Sequence, residues 1–259
     1  MRMTPLSGQT MLITGATSGI GAACAEAFAG LGMNLLLCAR REDRLHAFAK
    51  HITSIYDVNI HAFKLDVRKA GQVAQHFHNL PPEWQAIDVL VNNAGLALGL
   101  AKVYETQPDH LETMIDTNVK GLLYVTQEVV PGMVERGRGH VINIGSIAGR
   151  YVYPNGGVYC ATKFAVHALT QGLKMDLHGT PVRVSTVDPG LVETEFSQVR
   201  FEGDAERAAQ VYAGMTPLTA ADVADAVVYC ATRPPHVNIS EMLLMPTDQS
   251  GPTMVHRRT

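Results

Sequence analysis

An apolar run, Thr10 to Thr14, opens directly into Thr14-Gly-Ala-Thr-Ser-Gly-Ile-Gly21, and a helical stretch over 22–31 follows. The run is bounded by Gly8 and Gly15 and reads as a buried parallel strand. Strand, glycine-rich turn and helix in that order aim backbone N–H groups and the positive end of a helix at a phosphate. The spacing is Gly-x-x-x-Gly-x-Gly rather than the commoner Gly-x-Gly-x-x-Gly, so the flanking strand and helix carry the argument. Gly15, Thr17, Ser18, Gly19, Ile20 and Gly21 are the candidate nucleotide-binding residues of this turn.

The alternation continues. Further strands are predicted at 33–39, 59–65, 86–91, 141–144, 182–187 and 242–245, with helices at 108–132, 155–178 and 219–232. Thr219, with Asp222 in the fourth position, supplies a capping pair for the last helix. Such alternation predicts a Rossmann-like α/β fold: a doubly wound parallel sheet of about seven strands with helices on both faces. A core of this size fits one domain over 1–259, and the weakly patterned 194–216 is expected to be a lid over the substrate.

Composition excludes other classes. A net charge of −3 gives no reason to expect nucleic acid or an anionic membrane as partner. No segment approaches the ~18 apolar residues of a membrane span, and no signal-peptide layout opens the chain. Cys24, Cys38, Cys160 and Cys230 are scattered through apolar surroundings and read as reduced thiols of a cytoplasmic protein. Neither they nor the dispersed histidines have metal-ligand spacing, so no metal is expected.

Ligands of open parallel sheets bind at the strands' carboxyl ends, where the remaining candidates fall. After the second strand an NAD-preferring chain usually places an acid for the ribose 2′-hydroxyl; this chain has Ala39, Arg40 and Arg41. An arginine there can pair with a 2′-phosphate, which points to NADP(H), with Arg40 favoured over Arg41 and with Thr17 and Ser18 in support. Asp66-Val67 ends the third strand, where the carboxylate can meet an adenine amino group or start a helix. Asn92-Asn-Ala-Gly95 ends the fourth; Asn92, Ala94 and Gly95 suit close approach to a ribose, or Asn92 ties neighbouring strands. Pro189-Gly190 turns the chain after the sixth, bringing Val192 and Thr194 towards the carboxamide and phosphate of a nicotinamide nucleotide.

The reactive cluster follows the fifth strand. Tyr159 and Lys163, four apart on a helix, share a face, and Ser146 lies on the preceding loop. A free phenol titrates near ~10 and is a poor base at neutrality. The Lys163 ammonium is expected to lower that value, while the Ser146 hydroxyl holds the substrate oxygen. Asn118 stands inside the predicted 108–132 helix, close to Gly121. Both are poor helix formers; the amide is expected either to disturb the helix, free a carbonyl and hold a water beside Lys163, or to be a satisfied buried Asn.

Taken together, Thr14 to Gly21, Asn92 to Gly95, Asn118, Ser146, Tyr159 to Lys163 and Pro189-Gly190 resemble the short-chain dehydrogenase/reductase family over nearly the whole chain. The resemblance implies a catalytic set of Asn118, Ser146, Tyr159 and Lys163. LVNNAGLALG, ETMIDTNVKGL and DPGLVETEFSQVRFEGD are similar to its NADP-dependent 3-hydroxy acid dehydrogenases and sulfoacetaldehyde reductases, which implies a homotetramer. Arg150 departs from that pattern, where a smaller residue is expected. With Tyr153, it is expected either to hold the substrate's anionic end or to point to solvent. The expected activity is NADP(H)-dependent interconversion of a short hydroxy acid, or a similar anionic hydroxy compound, and its carbonyl form. A non-catalytic NADP(H)-binding regulator is the alternative of another class.

Overall fold

The computed structural model describes residues 4–258. Seven parallel strands form one sheet: β1 (Thr10–Thr14), β2 (Asn34–Ala39), β3 (Ile60–Lys64), β4 (Ile87–Asn92), β5 (Gly139–Ile144), β6 (Val182–Pro189) and β7 (Glu241–Leu244). Their order is β3-β2-β1-β4-β5-β6-β7. The chain winds outward from β1 to β3, returns to lay β4 on the other side of β1, and winds out to β7. The reversal between β1 and β4 opens a crevice at their carboxyl ends.

Side chains alternate across each strand, and each face takes its own helices. Met11 and Ile13 of β1, with Leu35 and Leu37 of β2, face one way. They are covered by α1 (Gly19–Ala29), α2 (Glu42–Ile55) and α9 (Ala220–Ala231) through Phe28, Leu45, Val223 and Val227. Leu12, Leu36, Leu90 and Val141 face the other way. There they meet α3 (Ala70–His78) and α5 (Leu122–Glu135) through Val73, Val125, Val129 and Met133. Burial on both faces is why these strands read as continuous apolar runs.

The helix expected over 108–132 is three segments. α4 (Pro108–Ile115) passes into a π-helical turn, Asp116–Gly121, before α5 begins. Asn118 is inside that turn, as its poor helix propensity suggested. α6 (Gly157–Asp176) carries Tyr159 and Lys163. The 194–216 stretch holds two short helices, α7 (Phe196–Arg200) and α8 (Ala205–Gln210). Thr219 and Asp222 form the reciprocal capping box at the start of α9. All four cysteines are buried and free.

Candidate active site

A cavity of about 850 Å³ runs along the carboxyl ends of the central strands. At one end is the glycine-rich turn. A Cβ on Gly21 would overlap the Gly15 carbonyl oxygen and the Asn93 amide, so only glycine lets α1 start this close to the turn. Thr14 accepts hydrogen bonds at Oγ1 from the Asn93 and Ala94 N–H groups (3.0 and 2.9 Å), and Asn93 Nδ2 donates to the carbonyls of Thr14 and Gly15. These bonds lock β1 and β4 together at the switch point. Gly15, Thr17, Ser18, Gly19 and Ile20 line the cavity, while Gly21 sits behind the wall. Asn93, whose clamp holds the turn, went unread among the amides of Asn92-Asn-Ala-Gly95.

Arg40 and Arg41 both line this end, but Arg41 organises it. Its Nη2 donates to Thr17 Oγ1 and Ser18 Oγ, each at 2.9 Å. A guanidinium converging with two hydroxyls on a glycine turn is a donor set that fits a ribose 2′-phosphate. Arg41 occupies the N-cap of α2 and turns towards the glycine turn, which moves emphasis away from the expected Arg40. Asp66 and Val67 line the next stretch. The Asp66 carboxylate is gripped by Arg68 Nη2 at 2.6 Å and Nε at 2.9 Å, and this hydrogen bonding holds it below the usual carboxylate range. Lys69, not Asp66, occupies the N-cap position of α3, without a side-chain capping bond.

Asn92 takes the second of its two expected roles, and its placement among the cofactor-binding residues is a correction. It is buried outside the wall, and its Nδ2 donates to Thr126 Oγ1 and Asn143 Oδ1, both at 3.0 Å. Asn143 in turn donates to Thr170 Oγ1 on α6. The amide therefore ties strands and helices instead of meeting a ribose. Ala94 and Gly95, beyond it, do reach the cavity. So do Pro189, Gly190, Val192 and Thr194 at the end of β6. Tyr212 donates to the Val192 carbonyl at 2.8 Å, and Leu191 N–H donates to Gln249 Oε1 at 2.8 Å, fixing this turn from both sides.

Ser146, Tyr159 and Lys163 meet at the other end of the cavity. Ser146 caps the short turn after β5, its Oγ accepting from the Ala148 N–H at 3.1 Å, and its hydroxyl favours ionisation of the neighbouring Tyr159 phenol. Lys163 donates from Nζ to the Ile144 carbonyl at 2.8 Å, which brings the amine back onto the end of β5. Burial dominates their titration. It pushes the Tyr159 phenol well above its ordinary value, with the neighbouring Tyr153 adding to the rise and Arg200 and Ser146 opposing it. It draws Lys163 down to about 8 against the opposing pull of Asp188. Burial thus outweighs its neighbours' pull on the Tyr159 phenol, and the amine's contact is to a backbone carbonyl.

Asn118 lies behind this cluster, outside the cavity wall. Its Oδ1 accepts from the Leu96 N–H at 2.8 Å; its Nδ2 donates to the Leu96 carbonyl at 2.8 Å and to Thr162 Oγ1 at 3.0 Å. Thr162 donates to the Tyr159 carbonyl at 2.7 Å. Both amide hydrogens are used, so the side chain pins the turn of α6 bearing Tyr159 and Lys163 and has no N–H to offer a water.

Arg150 takes neither of its expected roles. It lies outside the cavity wall and turns to the β6–β7 edge, donating from Nε and Nη2 to Asp188 Oδ2 (2.9 and 2.6 Å) and from Nη2 to Glu241 Oε2 (2.7 Å). The buried Asp188 carboxylate captures it, so it faces neither substrate nor open solvent. Tyr153 does line the cavity, and its partner there is Arg200, which donates from Nη2 to the phenol oxygen at 2.7 Å. The Arg200 guanidinium also sits 5.0 Å from the centre of the Tyr159 ring and 5.4 Å from that of Phe196. Its buried Nε has no hydrogen-bond partner among the described residues. Arg200 went unread although 194–216 contains only two cations, Arg200 and Arg207.

Among the described residues no group of three or more His, Cys, Asp and Glu side chains could hold a metal, and no helix is long and apolar enough to cross a membrane. A phosphate-binding turn at the switch point and a phenol–hydroxyl–amine cluster in the same crevice define a nucleotide-dependent oxidoreductase. The family pattern of the short chain dehydrogenases matches residues 9–205, and the chain belongs to that family. It is 48% identical over 249 residues to the NADP-dependent 3-hydroxy acid dehydrogenase YdfG of Salmonella typhi, covering 95% of this chain and 99% of the relative. It is 44% identical to sulfoacetaldehyde reductase 2 of Chromohalobacter salexigens, covering 93% and 95%. Among solved structures, the closed form of serine dehydrogenase complexed with NADP+ superposes with a TM-score of 0.91 at 44% identity, covering 97% of this chain and 100% of that one.

Proposed function

We propose that the protein interconverts a short hydroxy acid and its aldehyde or ketone with NADP(H). The observation that carries this reading is the Tyr159 phenol, sharing the cavity wall with Ser146 and Lys163, under the guanidinium of Arg200 in a cavity whose far end holds Arg41 among Thr17 and Ser18. The 3-hydroxy acid dehydrogenase named above is NADP-dependent and the serine dehydrogenase is complexed with NADP+, and the Arg41 cluster suits the 2′-phosphate that distinguishes that cofactor. When bound, NADP(H) supplies or accepts the hydride.

The chain's own residues do the rest. Ser146 holds the substrate oxygen through its hydroxyl. Tyr159, kept protonated by burial, gives its proton to that oxygen as a carbonyl is reduced and recovers it when an alcohol is oxidised. Lys163 fixes the end of β5 beside the phenol, and Asn118 holds their helix through Thr162. Arg200, a cation in the cavity wall held beside Tyr153, takes the anionic end of the substrate, the role expected of Arg150. A carboxylate or a sulfonate suits this guanidinium, so sulfoacetaldehyde reduction is a second substrate reading on the same site.

The same proposal treats 1–259 as one domain and 194–216, with α7 and α8, as its lid. Four copies in the cytoplasm complete it. Buried free thiols suit a reducing compartment. Exposed Tyr104, Val152 and Met175 offer apolar surface for contacts between copies. Light scattering on the purified protein reads the assembly.

The deciding experiment follows NADPH oxidation with sulfoacetaldehyde, malonic and tartronic semialdehydes and neutral aldehydes, with NADH in parallel. Turnover of the acidic aldehydes with NADPH is expected. NADP+ binding without turnover on any of them would overturn the catalytic reading in favour of a regulator.

A further inference from the structure

Arg41 and Arg44 do not wait with free guanidinium groups. Glu195, the residue preceding α7, reaches across the cavity mouth to both. Its Oε2 accepts from Arg41 Nη1 at 2.9 Å, and Arg44 Nη1 lies 3.1 and 3.2 Å from Oε1 and Oε2. The other terminal nitrogen of Arg41 is committed to the Thr17 and Ser18 hydroxyls. Thr194, next to Glu195, packs on the glycine turn, where a Cβ on Gly19 would come within 3.3 Å of it. The carboxylate is thus delivered to the donors that the proposed 2′-phosphate needs.

We propose that Glu195 is an internal anion that competes with the cofactor's 2′-phosphate for Arg41. This rests on the NADP(H) reading above. The pairs are 40% or more exposed at each side chain, so the tie is weak and a dianionic phosphate can displace it. NAD(H), lacking that phosphate, leaves Glu195 in place. A tie of this strength costs the phosphorylated cofactor part of its affinity and keeps Arg41 partnered at other times. It also starts the five-residue helix that ends at Arg200, over Tyr159.

The test is calorimetric binding of NADP+ and NAD+ to the full chain, wild type and Glu195→Gln, at fixed ionic strength. The expected result is a dissociation constant for NADP+ about three- to ten-fold lower in the variant, with that for NAD+ unchanged. Simple loss of a negative charge would instead tighten both cofactors through their shared pyrophosphate, and equal tightening overturns the proposal. So does wild type that prefers NADP+ alongside a variant that binds it no tighter, a result that leaves the NADP(H) reading standing. Wild type that binds NAD+ as well as NADP+ overturns the reading and the competition together. Equal unfolding temperatures for the two proteins exclude misfolding as the cause of any difference.

Discussion

Arg200 lays its guanidinium 5.0 Å from the centre of the Tyr159 ring and bonds the Tyr153 phenol at 2.7 Å. A cation so placed pulls the Tyr159 titration down against burial, in the wall of the cavity. Replacing it with methionine keeps much of the apolar stem and removes the charge. For acidic aldehydes, Arg200→Met is expected to raise KM about 10- to 100-fold, the loss of a charge-assisted hydrogen bond. Neutral aldehydes should be little affected. Steady-state kinetics on the two classes checks this; equal losses on both would assign Arg200 to packing alone.

Arg150→Met should do the reverse. Asp188 is almost wholly buried, and without Arg150 its remaining side-chain hydrogen bond is the one from Thr186 Oγ1. Leaving a buried carboxylate unpaired costs about 2–4 kcal/mol, somewhat below a fully buried pair because Arg150 is a quarter exposed. Denaturant unfolding should show that loss, while KM for acidic substrates stays within about two-fold. Adding Asp188→Asn should recover part of the stability.

These arginines show where the sequence could be read and where it could not. The strand–helix alternation, the glycine turn, the crevice at the strands' carboxyl ends and the trio Ser146, Tyr159 and Lys163 were legible because each rests on local spacing or a continuous apolar run. Thr219 and Asp222 were legible for the same reason. Asn92 stayed open between two roles and Arg150 was misplaced because their partners Thr126, Asn143, Asp188 and Glu241 are distant in sequence. Arg200 lies in a segment without periodicity, so no pattern aimed it inward. The Tyr159 titration was missed because burial, which spacing does not report, exceeds the effect of any one neighbour.

Lys163 gives a pH test with a definite sign. Its pKa falls from an ordinary 10.5 to about 8 on folding. Between those values the unfolded chain binds more protons than the native one, so this group's contribution to stability rises with pH, by at most about 1.4 kcal/mol per pH unit. Below about 8 both states are protonated and the burial penalty is constant. Cys24 and Cys38 act oppositely. Their thiols are pushed from 9.0 to about 12, so stability is lost as the unfolded thiols ionise above 9. The clean observable is therefore the stability of wild type minus that of Lys163→Met, which should climb from pH 8 to pH 10. A flat difference would mean that Lys163 stays charged in the native state.

Asn118 closes the site from behind. It donates to Leu96 and Thr162 and accepts from Leu96 while almost wholly buried. Asn118→Ala leaves the Leu96 N–H and carbonyl without these partners and frees Thr162, whose hydroxyl still holds the Tyr159 carbonyl. The expected loss of stability is about 2–3 kcal/mol, since the buried groups lose partners without regaining water. Asn118→Asp should not rescue it: the carboxylate can accept from Leu96 but cannot donate to the Leu96 carbonyl or Thr162. Because the amide acts by holding α6, kcat should fall at least about ten-fold while the dissociation constant for NADP+ changes by less than about two-fold. Unfolding, calorimetry and steady-state rates on the same preparations separate the effects. Unchanged kcat in a destabilised variant would leave Asn118 a purely structural tie between the β4 loop and α6.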